Sequence, residues 1–346
     1  MMDKIKNKKA LKVLIAILVL IFIYNLFNVK NIHFEKMDDI IFYSSLPDGT
    51  ENLYGLTGSG KIYCFNYKKG KVEVVVEESD IIYFGGRERS LIIYSDGSIY
   101  IDETGGLEGN YIGEIEGAIS GDASAYHAAI ITAKGEVYIC GKNSSENSNI
   151  LGSGNRYELD EFQLIELSEK VVKVDCGLFN TLLLTENGGL YWSGDLMDKY
   201  TYTFKKHEES EDIIDIHSND YTSFVLHKDG DVTGFGSGSD FCFLAVDTHG
   251  FNNIISFSVS ANNAIGINNK GELFYCGDDI YNTNGLNNIL YPQKLKGIRK
   301  AKEVYCSDMN AYVIQKNKIT CIPLDKENRL KKFINYYNIF APHYKG

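Results

Sequence analysis

Short apolar runs separated by tight polar turns recur along the chain. One unit repeats: a small residue, an apolar run, a two-residue turn ending in Gly, then a run in which apolar and polar positions alternate. Leu91-Ile92-Ile93-Tyr94, the turn through Gly97 and Ser98-Ile99-Tyr100 form one instance, and Leu182-Leu183-Leu184-Thr185, the turn through Gly188 and Leu190-Tyr191 form another. A continuous apolar run bounded by turns reads as a fully buried strand, and alternation reads as a half-buried one. The turn anchors are Gly60, Gly97, Gly135, Gly188, Gly230, Gly271 and Asn317. Gly and Asn are the residues that most readily adopt positive φ, as a tight hairpin demands.

Eleven residues before each anchor lies a small or compact residue: Gly49, Gly86, Ser124, Gly177, Asn219, Ser260 and Cys306. Short runs such as Val171-Val172-Lys173-Val174 and Ile254-Ile255-Ser256-Phe257 precede them and supply a further strand. Seven units of roughly 43 residues leave room for about four strands each, and no helical periodicity of 10–15 residues separates them. One small sheet cannot bury its own faces, whereas sheets stacked around an axis bury each other's. The pattern predicts an all-β, seven-bladed propeller over residues 37–340, with a linear solenoid or a pair of sandwiches as the alternative.

Residues 10–27, ALKVLIAILVLIFIYNLF, break this pattern, being apolar apart from Lys12 and Asn25. Eighteen helical residues would span about 27 Å, close to a hydrocarbon core of about 30 Å. The expectation is a transmembrane signal anchor at 10–27 after a cytoplasmic basic stub at 1–9. A linker at 28–36 and a short tail at 341–346 would flank the propeller. No small-x-small cleavage site follows the apolar stretch, and the lysines ahead of it keep the N-terminus cytoplasmic and place the propeller outside the cell membrane.

Charge sharpens that division. Residues 1–30 hold six lysines against Asp3, and with a total of −11 the rest of the chain carries −16. A body that acidic lacks the positive footprint of a nucleic-acid binder, so no nucleic-acid partner is expected. The seven cysteines are odd in number and widely spaced without CxxC, so they read as small buried hydrophobes. The histidines form no HxH or HExxH, and the glycine-rich pieces match no phosphate or nucleophile motif. Catalytic, cofactor and metal residues are all expected to be none.

The repeats resemble those of the family of the regulator of chromosome condensation. The likeness rests on Gly177, Asn180 to Thr185, Glu186-Asn187-Gly188-Gly189-Leu190-Tyr191-Trp192-Ser193-Gly194, on His127 to Gly141, and on Asn149-Ile150-Leu151-Gly152. It implies a seven-bladed propeller and a diverged, membrane-anchored bacterial member of that family. The family's histidine position holds Asn52, Arg89, His127, Asn180, Thr222, Asn263 and Met309, so His127 alone keeps it; a structural histidine is the expected role. The founding member binds chromatin and exchanges nucleotide on a small nuclear GTPase, which an exported domain would not meet, so no such exchange is expected. Secreted members that inhibit β-lactamases are the nearer precedent.

The functional expectation is a membrane-tethered binding module for a protein or a cell-envelope polysaccharide. A glycan hydrolase or lyase acting in the channel and an inhibitor of a secreted enzyme are the alternatives. The interrupted period points to Tyr157, Phe162, Tyr200, Tyr202 and Phe204 as a possible binding surface, aromatic side chains beside charge that equally suit an outer blade strand. In propellers the two chain ends often complete one blade, and Ile40-Ile41-Phe42-Tyr43 is the candidate contribution from the start.

Overall fold

The computed structural model describes residues 30–33 and most of 40–323. Residues 1–29, 34–39 and 324–346 fall outside the description, as do 51, 145–148, 155–156, 197–198, 209, 219–221, 237–249, 261–262, 279–287, 296–297, 308–309 and 317. The described chain is a seven-bladed β-propeller. Blade 1 holds β2 (Ile40–Ser45), β3 (Leu53–Thr57), β4 (Ile62–Asn66) and β5 (Lys71–Val76), and blade 2 holds β6 (Ile81–Gly85), β7 (Ser90–Tyr94), β8 (Ser98–Asp102) and β9 (Asn110–Glu114). Blade 3 is β10 (Ala118–Ala123), β11 (His127–Thr132), β12 (Val137–Lys142) and β13 (Glu158–Ile165), and blade 4 is β14 (Val171–Cys176), β15 (Asn180–Thr185), β16 (Leu190–Leu196) and β17 (Lys199–Lys206). Blade 5 shows β18 (Ile213–Ser218), β19 (Thr222–His227) and β20 (Val232–Gly236) among the described residues. Blade 6 is β21 (Ile254–Ser260), β22 (Asn263–Asn268), β23 (Leu273–Asp278) and β24 (Asn288–Leu295).

Blade 7 is built from both ends of the described chain. Its β25 (Glu303–Cys306), β26 (Asn310–Gln315) and β27 (Lys318–Pro323) are completed on the outside by β1 (Lys30–His33), antiparallel to β27 with Lys30 opposite Cys321. The expected clasp therefore exists, but Lys30–His33 makes it. Ile40–Ser45 is instead the first strand of blade 1. Residues 30–33, in the segment expected to be a linker, are strand because they cover the edge that β27 would leave open.

Each blade's first strand lies beside the first strands of the two neighbouring blades, β25 against β2 included, so the ring is closed rather than a solenoid. The second strands carry the continuous apolar runs. β11, β15 and β22 are buried along their whole length because a neighbouring blade covers each face. Apolar layers fill the interfaces, as where Leu53, Tyr63 and Phe65 of blade 1 meet Tyr312, Ile314 and Ile319 of blade 7. Trp192 lies in the layer between blades 4 and 5. Six cysteines are free, and Cys242 lies outside the described residues. Burial pushes the Cys140 thiol up to about 12, as suits a small hydrophobe.

The anchor glycines sit between the second and third strands of blades 1 to 6, at φ from +71 to +91. The turn is longer than the two residues expected. In blade 1 Gly60 N donates to Thr57 O and Thr57 N to Lys61 O, a three-residue loop whose last residue is left-handed. The same glycines also touch the next blade. Val171 N donates to Gly135 O and Ile254 N to Gly230 O, each staple joining one blade's hairpin to the lead-in of the next. Blade 7 has the shorter form, Gln315 facing Lys318. That one-residue difference shifts the repeat register, so Asn310, opposite Pro323, holds the family's histidine position rather than Met309. Ser307, whose N–H donates to Asn310 O, likewise holds the small-residue position in place of Cys306.

Candidate functional site

The ring has two unlike faces. First and third strands of a blade run parallel and begin at the face that carries the glycine hairpins. There, six first strands contain a bulge at the same place. Pairing with the second strand skips Ile41, Ile82, Ile119, Val172, Ile214 and Ile255. The residue just before each bulge turns into a blade interface and the bulged residue is pushed outward. The six are 37% to 66% exposed, although all are Ile or Val. Blade 7 carries exposed Lys302 at the equivalent place. The result is an apolar crown, a ring of six exposed Ile and Val side chains at one mouth of the central channel.

Charge around the crown is uneven. The described hairpins and lead-in turns of blades 1 to 5, from Glu77 to Asp231, carry twelve exposed carboxylates and three exposed lysines, Lys134, Lys170 and Lys228. In blades 6 and 7 the described turns expose Lys270, Arg299, Lys300, Lys302 and Lys316. The crown thus lies between an acidic arc and a smaller basic sector.

Toward the other face the channel holds a half-open cavity of about 220 Å³ with lining from all seven blades. Its charged groups are engaged with one another and with neighbouring blades. Asp122 accepts from Cys176 N at 2.7 Å and Asp175 from Ser218 N at 2.9 Å. Ser258 Oγ takes the same part for Cys306 N at 2.9 Å. These contacts bolt blade 3 to 4, 4 to 5 and 6 to 7. Lys173 Nζ lies 2.5 Å and His217 Nε2 3.0 Å from the Asp215 carboxylate. Burial works to raise Asp215, but Lys173 and then His217 outweigh it and hold the carboxyl well below the usual range. Asp122 is raised, first by burial and then by the Asp175 charge. Among the described residues no group of three or more His, Cys, Asp or Glu is placed to hold a metal ion.

His127 is buried, with Ser124 Oγ 2.9 Å from Nδ1 and Thr181 Oγ1 of blade 4 2.7 Å from Nε2. Asn180 makes the corresponding link from blade 4 to 5, its Nδ2 donating to Ser223 Oγ at 3.1 Å. This position is therefore a bolt between second strands. Burial, and then the Arg89 charge, lower the His127 pKa to about 3. Above pH 6.5 the ring is neutral folded or unfolded. Below it only the unfolded chain takes the proton, so stability falls by about 1.4 kcal/mol per pH unit toward pH 3. His127→Gln is accordingly expected to lose about 2 kcal/mol less than the parent between pH 6.5 and 5 in urea unfolding. Equal losses would mean that His127 is not held neutral.

The five aromatic residues expected as a binding surface lie on or next to the outer strands β13 and β17. Tyr157 and Tyr202 are 46% and 57% exposed, but Phe162 packs on the layer between blades 2 and 3 and Phe204 on that between blades 3 and 4. Tyr200 is in β17, an outer strand. The long interval before β13 is a crossing loop. Buried Ile150 and Leu151 seat against blade 4, where Thr181 Oγ1 and Ser193 Oγ both donate to Ile150 O. The crown itself went unread, although its signal is in the sequence. The doublets Ile40-Ile41, Ile81-Ile82, Val171-Val172, Ile213-Ile214 and Ile254-Ile255 interrupt a period of two, as a bulge does.

No protein-family model matches the chain, and no curated protein matches it. Solved structures do. Human WBSCR16 superposes with a TM-score of 0.58 at 14% identity, over 84% of this chain and 88% of its own. Prp20p of Saccharomyces cerevisiae, described with its binding to Gsp1p and histones, gives 0.58 at 12%, over 87% and 86%. The CRINKLY ectodomain of the Arabidopsis thaliana receptor kinase ACR4 gives 0.52 at 13%, over 79% and 91%. At these identities the likeness is one of fold, the seven-bladed propeller of repeats like those of the regulator of chromosome condensation. It also corrects an expectation. The exclusion of nuclear partners and of small-GTPase exchange does not stand, because Prp20p carries its binding to Gsp1p and histones on this same fold.

Proposed function

We propose that this chain is a non-catalytic protein-binding propeller whose docking face is the one bearing the apolar crown. The observation that carries this reading is the repetition. Six bulges at one repeat position each leave an Ile or Val in water, where a polar residue would cost the fold nothing. A fastening role accounts for the channel carboxylates Asp122 and Asp175, each holding the backbone of a neighbouring blade. Protein binding by Prp20p, a propeller of this fold, supports the choice of partner class.

Residues 10–27 hold the propeller at a membrane in this reading, with the basic stub cytoplasmic and the propeller outside. They lie outside the described residues, among which no helix is long and apolar enough to cross a membrane. β27 ends, and β1 begins, at the face opposite the crown, since Lys30 pairs with Cys321. An anchor ahead of Lys30 therefore leaves the crown turned away from the bilayer and open to partners.

A photo-crosslinking residue at Ile119 or Ile214 in the full-length chain is expected to give protein adducts in cells. The same residue at Tyr202 is expected to give few. Adducts at Tyr202 with none at the crown would return the docking surface to the outer strands.

A further inference from the structure

We infer that the segment docked on the crown is a basic amphipathic stretch of another protein, its Leu, Ile or Phe side chains over the crown and its Lys and Arg toward blades 1 to 5. This deepens the docking reading above and rests on it.

Three observations choose that occupant. The apolar ring needs an apolar counterpart, and the described hairpins and lead-in turns from Glu77 to Asp231, with twelve exposed carboxylates against three exposed lysines and with Lys205 and Lys206 beside them at the end of β17, need a cationic one. Complementary charge of this kind sets the choice and orientation of a partner. Lys302 in the sixfold pattern's gap, with Lys270, Arg299, Lys300 and Lys316 beside it, gives the face a polarity, so the occupant's acidic or C-terminal end belongs over blades 6 and 7.

Other occupants fit less well. An anionic lipid surface attracts basic segments, and the arc would be repelled by it. A second copy would bring its own acidic arc against this one. The chain's own tail has suitable chemistry at Lys326, Arg329, Leu330, Lys331, Lys332 and Phe333, but it leaves from the opposite face at Pro323. Ten residues cover at most about 34 Å, and the route runs out past the blade edge, up a strand height of about 20 Å and back toward the axis.

The test uses the full-length chain in nanodiscs of neutral lipid and two labelled synthetic peptides of eighteen residues. Both carry the same leucine face, one with lysines and the other with glutamates on the polar face. The lysine peptide is expected to bind at least tenfold more tightly in fluorescence anisotropy. Ile82→Ser/Ile119→Ser/Val172→Ser is expected to weaken it at least tenfold. Glu116→Lys/Glu166→Lys/Glu211→Lys is expected to abolish the preference for lysine. Equal binding of the two peptides, or lysine-peptide binding that survives the crown triple, would overturn the inference. Crown adducts to an acidic segment of a native partner would overturn it too, while leaving the docking face in place.

Discussion

Gly60→Ala is expected to destabilise the protein by about 3 kcal/mol and lower its unfolding midpoint by roughly 5–10 °C, whereas Gly70→Ala costs about 1 kcal/mol. Both glycines have left-handed φ, +77 and +67, and both close hairpins of blade 1. They differ in what a side chain would meet. A Cβ at Gly70 enters open space, but at Gly60 it would lie 1.8 Å from Ser79 O. Ser79 is in the lead-in to blade 2, and its Oγ donates back to Gly60 O at 2.7 Å. Alanine at 60 therefore adds displacement of the next blade's backbone to the ordinary cost of the conformation. Calorimetry on the two variants separates these effects. Equal losses would reduce the anchor glycines to hairpin formers with no part in joining blades.

The second large effect concerns closure. A soluble chain beginning at residue 29 keeps β1, whereas one beginning at residue 35 leaves blade 7 with three strands and exposes the edge of β27. Four residue pairs, from Lys30–Cys321 to His33–Lys318, are lost. At about 1 kcal/mol per ladder hydrogen bond the shorter chain is expected to be roughly 4 kcal/mol less stable and prone to edge-to-edge association. Urea midpoints of the two chains, with light scattering for association, measure this. Matching midpoints and monodispersity would mean that the apolar contact of Leu53 and Phe65 with Tyr312 and Ile314 closes the ring without the clasp.

The blade count was legible because the hairpin glycine is demanded twice over, by its positive φ and by its approach to the next blade. A position under two constraints persists when the rest of the repeat drifts. The offset to the small residue was legible for a similar reason, since it measures a fixed strand and hairpin length. Among the described residues it failed only in blade 7, where the hairpin is one residue shorter. The clasp was misplaced because a four-residue outer strand, Lys30–His33, shows too little alternation to stand out beside a long apolar segment. The crown was missed for a different reason. Aromatic density drew attention to 157–204, yet Phe162 and Phe204, on the outer strands β13 and β17, pack against the layers between blades. The crown residues looked like ordinary strand interior until pairing showed each to be the unpaired residue of a bulge.

Hydrogen exchange on the full-length chain, with and without its crosslinked partner, tests the docking face most directly. The expected result is partner-induced protection at residues 40–42, 81–83, 118–120, 171–173, 213–215 and 254–256 and in the adjoining hairpins, with β13 and β17 unchanged. Protection confined to β13 and β17, or to the turns at the face where the chain ends emerge, would contradict it.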